Sequence, residues 1–265
     1  MFRKVVDMVV VFGATGRTGR RVVELLCARG QPARVVLRPE ADWPSAITAP
    51  TLELARADLA RSRDVDRCLD GATAVVYLAG SRPSLAAGSA ALIQEYASFM
   101  NCVDAARKQG ISGSFITVGV DPRPGRAWTE RLLERTRARW VEYKLACEMS
   151  LVRTPLRYLV LRARALGDGP ASATRIRFDV SPGSPESAEP LPRAALAALI
   201  AGAIEHGHTP RATTTIVGGR IGYALRQAVV MLRELASDES EATAPRITLE
   251  PARHAAARSI KPVGR

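Results

Sequence analysis

Short runs of β-branched and apolar residues alternate along this chain with longer stretches whose apolar positions recur at helical spacing. Val5 to Phe12 is an almost unbroken apolar run rich in valine, the pattern of a strand buried on both faces. Arg17 to Arg29 follows with Val22, Val23, Leu25 and Leu26 turned inward, and Gly30 stands where a helix would stop. Further strands are predicted at Arg34 to Leu37, Leu52 to Ala55, Ala74 to Ala79, Ser114 to Val120, Arg157 to Arg162 and Thr213 to Val217. Helices are predicted around Val65 to Leu69, Ala90 to Gln109, Thr129 to Val152, Pro192 to Glu205 and Tyr223 to Leu235. Such alternation points to an α/β fold, a Rossmann-type doubly wound parallel sheet with helices on both faces. Residues 1–236 read as one domain.

Two stretches break the alternation. Gly167 to Pro192 is rich in Pro, Ser and Gly and is expected to be mainly loop, in the place where such folds build a substrate lid. Residues 237–265 form a polar, aperiodic C-terminal tail that would be disordered in isolation and is expected to lie against a protein partner.

Composition changes this picture little. With 47% apolar and 24% charged residues the chain has the make-up of an ordinary globular protein. No stretch approaches the roughly 18 uninterrupted apolar residues of a membrane helix. The first predicted strand begins close to Met1, so no uncleaved targeting peptide is expected. Charge is more informative: the formal net charge is +12 and the pI about 10.4. Lysine occurs only at Lys4, Lys108, Lys144 and Lys261, so arginine carries nearly all of it. A field of this sign attracts phosphates, nucleic acid, anionic lipid or an acidic partner, and solvated helix faces account for it equally well. The densest run, Arg123 to Arg139, holds Glu130 and Glu134 at helical spacing from its arginines and shows no RNP-like run or KH-type loop. Nucleic acid is therefore not an expected partner. Cys27, Cys68, Cys102 and Cys147 are far apart and read as reduced, buried thiols. His206 and His208 share a turn without a third ligand nearby, so no metal site is expected.

The candidate chemistry lies at the first turn. Val9-Val10-Val11-Phe12 runs into Gly13-Ala14-Thr15-Gly16-Arg17-Thr18-Gly19, and helical sequence follows at once. In that setting Gly13 permits a tight turn, Gly16 lets the backbone approach a pyrophosphate, and Gly19 lets the helix pack closely on the strand. The first helical N–H groups and the helix dipole then face the phosphates. Gly13, Thr15, Gly16, Arg17, Thr18 and Gly19 are thus candidate cofactor-binding residues. An NAD site would place Asp or Glu at the end of the second strand to bond the ribose 2′-hydroxyl. That position holds Arg38, and with Arg17 it offers two guanidiniums suited to a 2′-phosphate. NADP(H) is the expected cofactor; Glu40, two residues on, keeps NAD(H) as the alternative.

Gly13 to Gly19 followed by Arg38 resembles the atypical short-chain dehydrogenase/reductase superfamily, and within it the NmrA-like, flavin-reductase-like NAD(P)H-binding branch, over Val5 to Gly219. The resemblance implies further cofactor contacts at Asp58 and Leu59, beside the adenine, and at Ala79 and Gly80 along the strand end. It identifies Lys144-Leu145-Ala146-Cys147-Glu148, with Leu156-Arg157-Tyr158 and Leu161-Arg162, as the counterpart of the family's Lys-plus-Glu helix and next strand. Catalytic members carry a tyrosine four residues before the lysine, which lowers the phenol's pKa so that it can donate a proton. Here that position is Trp140, which has no acidic proton to give. Tyr143 is adjacent to Lys144 and on a helix points about 100° away. The family's fifth-strand serine is replaced by Thr117-Val118-Gly119, and Ala163 stands where many relatives have proline. Lys144 and Thr117 remain as candidate reaction residues, Lys144 also as a ligand to the nicotinamide ribose.

Two roles follow. The first is a non-catalytic accessory subunit that holds NADP(H) structurally in a large assembly, comparable to the superfamily member in respiratory complex I. The mitochondrial matrix or another organelle is its expected location, with the cytoplasm as the alternative. The second is a small NADPH-dependent reductase of a flavin, quinone or similar acceptor that draws its proton from solvent. Trp140, the basic charge and the polar tail favour the first.

Overall fold

The computed structural model describes residues 7–80, 89–121, 134–163, 165–171, 174–179, 189–205, 207, 211–219 and 223–237. Strand β1 (Val9–Phe12) leads to α1 (Arg17–Ala28), β2 (Ala33–Leu37), β3 (Leu52–Arg56), α2 (Ser62–Cys68), β4 (Ala74–Tyr77), α3 (Ser89–Lys108) and β5 (Phe115–Val120). There follow α4 (Glu134–Val152), β6 (Tyr158–Ala163), the two-residue strands β7 (Leu166–Gly167) and β9 (Leu191–Pro192) with β8 (Arg175–Asp179) between them, α5 (Arg193–Glu205), β10 (Ala212–Gly219) and α6 (Leu225–Ser237).

The main sheet has the order β3-β2-β1-β4-β5-β6-β10-β8. Every pairing in it is parallel except that of β8 with β10. This is the doubly wound α/β arrangement expected from the alternation. Two cores explain why the strands read as continuous apolar runs. Val9 and Val11 pack with α1, α5 and α6, whereas Val10 and Phe12 pack with α2, α3 and α4. A strand covered on both faces has no polar side to show. Helix α1 ends where Gly30 was expected to stop it. Gly30, at φ +65°, donates its N–H to the Cys27 carbonyl and Gln31 donates to Leu26, a Schellman termination.

The expectation of a mainly irregular segment between Gly167 and Pro192 needs correction. β7 pairs in parallel with β9, and β8 joins the sheet antiparallel to β10. Arg175-Ile176-Arg177-Phe178 is a short period-two alternation set among turn-forming residues, and Ile176 from it is fully buried. Ile176 also exchanges both backbone hydrogen bonds with Tyr223 at 2.8 Å. Residues 172–173 and 180–188, where the rest of the expected lid falls, lie outside the described residues, as do His206, His208, Arg123 to Glu130 and the tail beyond Ser237. Among the described residues there is no group of metal-ligating side chains and no helix long and apolar enough to cross a membrane.

Candidate functional site

The site is built where the sheet's strand order reverses, at the carboxyl ends of β1 and β4. The chain leaves β1 through Gly13 at φ +79°. A Cβ there would collide with the Ala79 nitrogen and lie 2.5 Å from the Leu78 carbonyl carbon, so the turn and the end of β4 touch backbone to backbone. At Gly19 a Cβ would strike the Gly13 carbonyl oxygen and come within 2.8 Å of Ala14 Cα. Glycine at both positions is what lets α1 start directly against the turn. Gly16, the N-cap, donates to Gly13 O at 3.1 Å and offers no side-chain cap, and the first turn of α1 carries no acidic residue. Its amides and the positive end of its dipole face outward beside the exposed Thr15 and Arg17 and the half-buried Thr18. These features fit an anionic, pyrophosphate-bearing ligand.

The neighbouring strand ends supply the remaining expected residues. Arg38 is exposed at the end of β2. Its turn is held from β3, where Arg56 Nη1 donates to the carbonyls of Arg38, Pro39 and Ala41 at 3.3, 2.5 and 2.9 Å. Asp58 caps the turn after β3 by accepting from the Ala60 N–H at 3.0 Å, and the Leu59 carbonyl accepts from Asn101 Nδ2 of α3 at 2.9 Å. Ala79 and Gly80 continue β4, with Gly80 at φ +140°. A Cβ on Gly80 would lie 3.1 Å from Lys144 Nζ and 3.7 Å from Glu95 Oε2. The cofactor-binding residues expected from the sequence are therefore gathered along one edge of the sheet, with Lys144 at its β4 end.

Lys144 rests on two rings of its own helix, with Nζ 5.8 Å from the Trp140 centroid and 5.3 Å from that of Tyr143. Burial pushes its pKa down, while the Cys147 thiol and the Glu95 carboxylate pull it back up. Tyr143 points into the core, its buried hydroxyl set against the Cys147 thiol. Burial, with added contributions from Cys147, Tyr77 and Glu95, drives its pKa far above the ordinary phenol value. A cavity of about 10 Å³, room for a single water, lies between Tyr143, Lys144, Thr117 and Glu148. Thr117 is buried and donates its hydroxyl proton to the Tyr77 carbonyl at 3.0 Å. Neither hydroxyl is arranged to protonate a ligand at the sheet edge. Next to them Glu148 of α4 holds Arg162 of β6 bidentately, at 2.5 and 3.0 Å, with side chains 5% and 17% exposed. Gly119 leaves room for this pair, since a Cβ there would approach Arg162 Cγ at 3.1 Å and Glu148 Oε2 at 3.2 Å.

Sequence reasoning missed one group. Arg17 is bound to Asp168, which also meets Arg21 and Arg193. Arg21 stands one turn after Arg17 and its place on that face was readable, but nothing local marks Asp168, 151 residues away from Arg17.

Comparison with known proteins agrees with this geometry. A family profile described as NAD(P)H-binding matches residues 13–207. An uncharacterized chloroplastic protein of Arabidopsis thaliana is 35% identical over 109 residues, which span 39% of this chain and 38% of that protein. Among solved structures, an oxidoreductase from Lactococcus lactis superposes with a TM-score of 0.66 at 18% identity, covering 86% of this chain and 98% of that one. A short-chain dehydrogenase/reductase from Veillonella parvula in complex with NADP gives 0.61 at 15% identity, with 80% and 94% covered. The Bordetella bronchiseptica enzyme WbmH in complex with NAD+ gives 0.55 at 18% identity, with 77% and 74% covered. At these identities the structures establish the shared fold.

Proposed function

The chain belongs to the NAD(P)H-binding family, and from that premise we propose that it holds NADP(H) as a resident ligand and serves as a non-catalytic subunit of a larger protein assembly. Gly13, Thr15, Gly16, Thr18 and Gly19 would cradle the pyrophosphate. Arg38 and Arg17 would meet phosphate oxygens, and Asp58 and Leu59 would flank the adenine. Ala79, Gly80 and Lys144 would line the nicotinamide half. The preference for NADP(H) rests on Arg38, an exposed guanidinium at the strand end where an NAD site needs an acid.

One observation carries the non-catalytic reading: the position that should hold the proton-donating phenol is Trp140, and although Lys144 also meets the ring of Tyr143, the hydroxyl of that phenol is buried in the core. A bound nicotinamide supplies a hydride, but carbonyl reduction also needs a proton at the acceptor. The basic charge and the polar tail 237–265 support contact with a partner. An organellar location accords with the chloroplastic relative.

The natively purified protein is expected to release NADP(H) on denaturation, read by mass spectrometry, and to show no steady NADPH oxidation with flavins or quinones. NADPH should bind more tightly than NADH, and Arg38→Ala should remove that difference. A free monomer in solution that oxidises NADPH steadily would overturn the assembly role. The second reading, NADPH-dependent reduction of a flavin or quinone with a solvent proton, is favoured by Lys144 keeping its place at the end of β4 beside Gly80.

A further inference from the structure

Asp168 follows β7 and Arg193 follows β9, and the register of these strands, Gly167 opposite Pro192, delivers both side chains to one place. Arg193 Nη1 lies 3.1 Å from Asp168 Oδ1, its side chain only 13% exposed. Arg17 Nη1 donates to Oδ2 at 2.7 Å, and Arg21 Nη2 stands 3.7 Å from Oδ1. Arg21 also donates to the Arg17 carbonyl at 2.8 Å, which keeps the two arginines on one face of α1. Three guanidiniums thus share one carboxylate. Arg17 is at the same time the first residue of α1, directly after the uncapped Gly16. A phosphate at the glycine turn and the carboxylate of Asp168 are therefore rivals for the same guanidinium, whose planar fork accepts either anion.

We propose that Asp168 is an internal counter-anion that a dinucleotide phosphate displaces from Arg17, and that it thereby sets the affinity of the nucleotide site. This rests on the nucleotide reading above and adds to it a residue outside the glycine turn. The exchange is balanced in charge. A phosphate gains Arg17 together with the helix dipole, while Asp168 keeps Arg193, to which the β7–β9 pair binds it. Partial desolvation of Asp168, which acts upward, is outweighed by the hydrogen bond and charge of Arg193 and by Arg17 and Arg21, so its pKa falls below the ordinary carboxylate value. It is ionised at neutral pH, and the competition operates there.

The test is fluorescence titration of NADPH and of NADH into the wild-type chain, Asp168→Asn, Arg17→Gln and the double variant, each first freed of resident nucleotide, at low and high salt, with melting temperatures alongside. Asp168→Asn is expected to bind both nucleotides about three- to fivefold tighter at low salt, the scale of one surface ion pair. The gain should shrink at high salt and vanish when Arg17 is also replaced. Equal or weaker binding by Asp168→Asn at a wild-type melting temperature overturns the proposal while leaving the nucleotide reading intact. A gain that persists without Arg17 overturns it as well, since Asp168 would then act through general charge alone. A wild-type chain that binds neither nucleotide removes both readings.

Discussion

Thr117 aims its hydroxyl proton at the Tyr77 carbonyl across β4 and β5, away from the sheet edge where a ligand would sit. Thr117→Val keeps the shape and removes that bond from a buried site. It is expected to cost about 1 kcal/mol of stability, the typical net worth of one hydrogen bond, and to leave NADPH affinity unchanged. Denaturant unfolding and nucleotide titration measure the two effects separately; a large loss of affinity would instead place the hydroxyl at the ligand. Residue type and spacing were legible at this scale: Trp140 at the tyrosine position and the glycine turn were both visible in the sequence. Hidden from it was the direction in which each side chain spends its polarity. Helical geometry placed Tyr143 away from Lys144, yet the flexible lysine stem folds its Nζ to within 5.3 Å of the ring, and the burial of Tyr143 follows from packing against α3.

Between elements, the Glu148–Arg162 pair ties α4 to β6, and through them places Lys144 relative to the sheet edge. Both charges have left water, so losing one partner strands the other. Glu148→Gln is expected to destabilise the fold by about 3 kcal/mol, as for other broken buried pairs, and to weaken NADPH binding because α4 loses its anchor. Thermal melts with and without nucleotide would check both; an unchanged melting temperature would show that the pair is not structural. Strands β1, β2 and β4 of the nucleotide half were legible because burial on two faces writes itself as a nearly unbroken apolar run. β7, β8 and β9 were not, because they take their identity from partners far along the chain. Gly167 finds Pro192, and Asp179 finds Thr215, among residues whose composition reads as turn.

For the whole molecule, the expected ligand touches the ends of four neighbouring strands and one residue of α4, so binding braces parts that are distant in sequence. Saturation with NADPH at about a hundred times its dissociation constant should add about 2.7 kcal/mol to stability, a rise of roughly 5–10 °C in melting temperature for a chain of this size. NADH at the same concentration should give less. An identical rise with both would argue against a role for Arg38 in recognising the extra phosphate. The charge of +12 was plain from composition alone, yet its most telling arrangement, three arginines around Asp168, was not. Ion pairs spanning most of the chain leave no periodic trace.

The antiparallel seat of β8 has a consequence in time. Its ladder partner in the sheet, β10, emerges from the ribosome only after β9 and α5 have been made. Strands β1 to β6 are by then complete and can zip together in order from their own contacts. The edge of the sheet, by contrast, must wait with Ile176 and Phe178 uncovered. The dinucleotide half can thus mature while the chain is still being synthesised. The last stage of growth is where this protein is open to aggregation and to rescue by a chaperone.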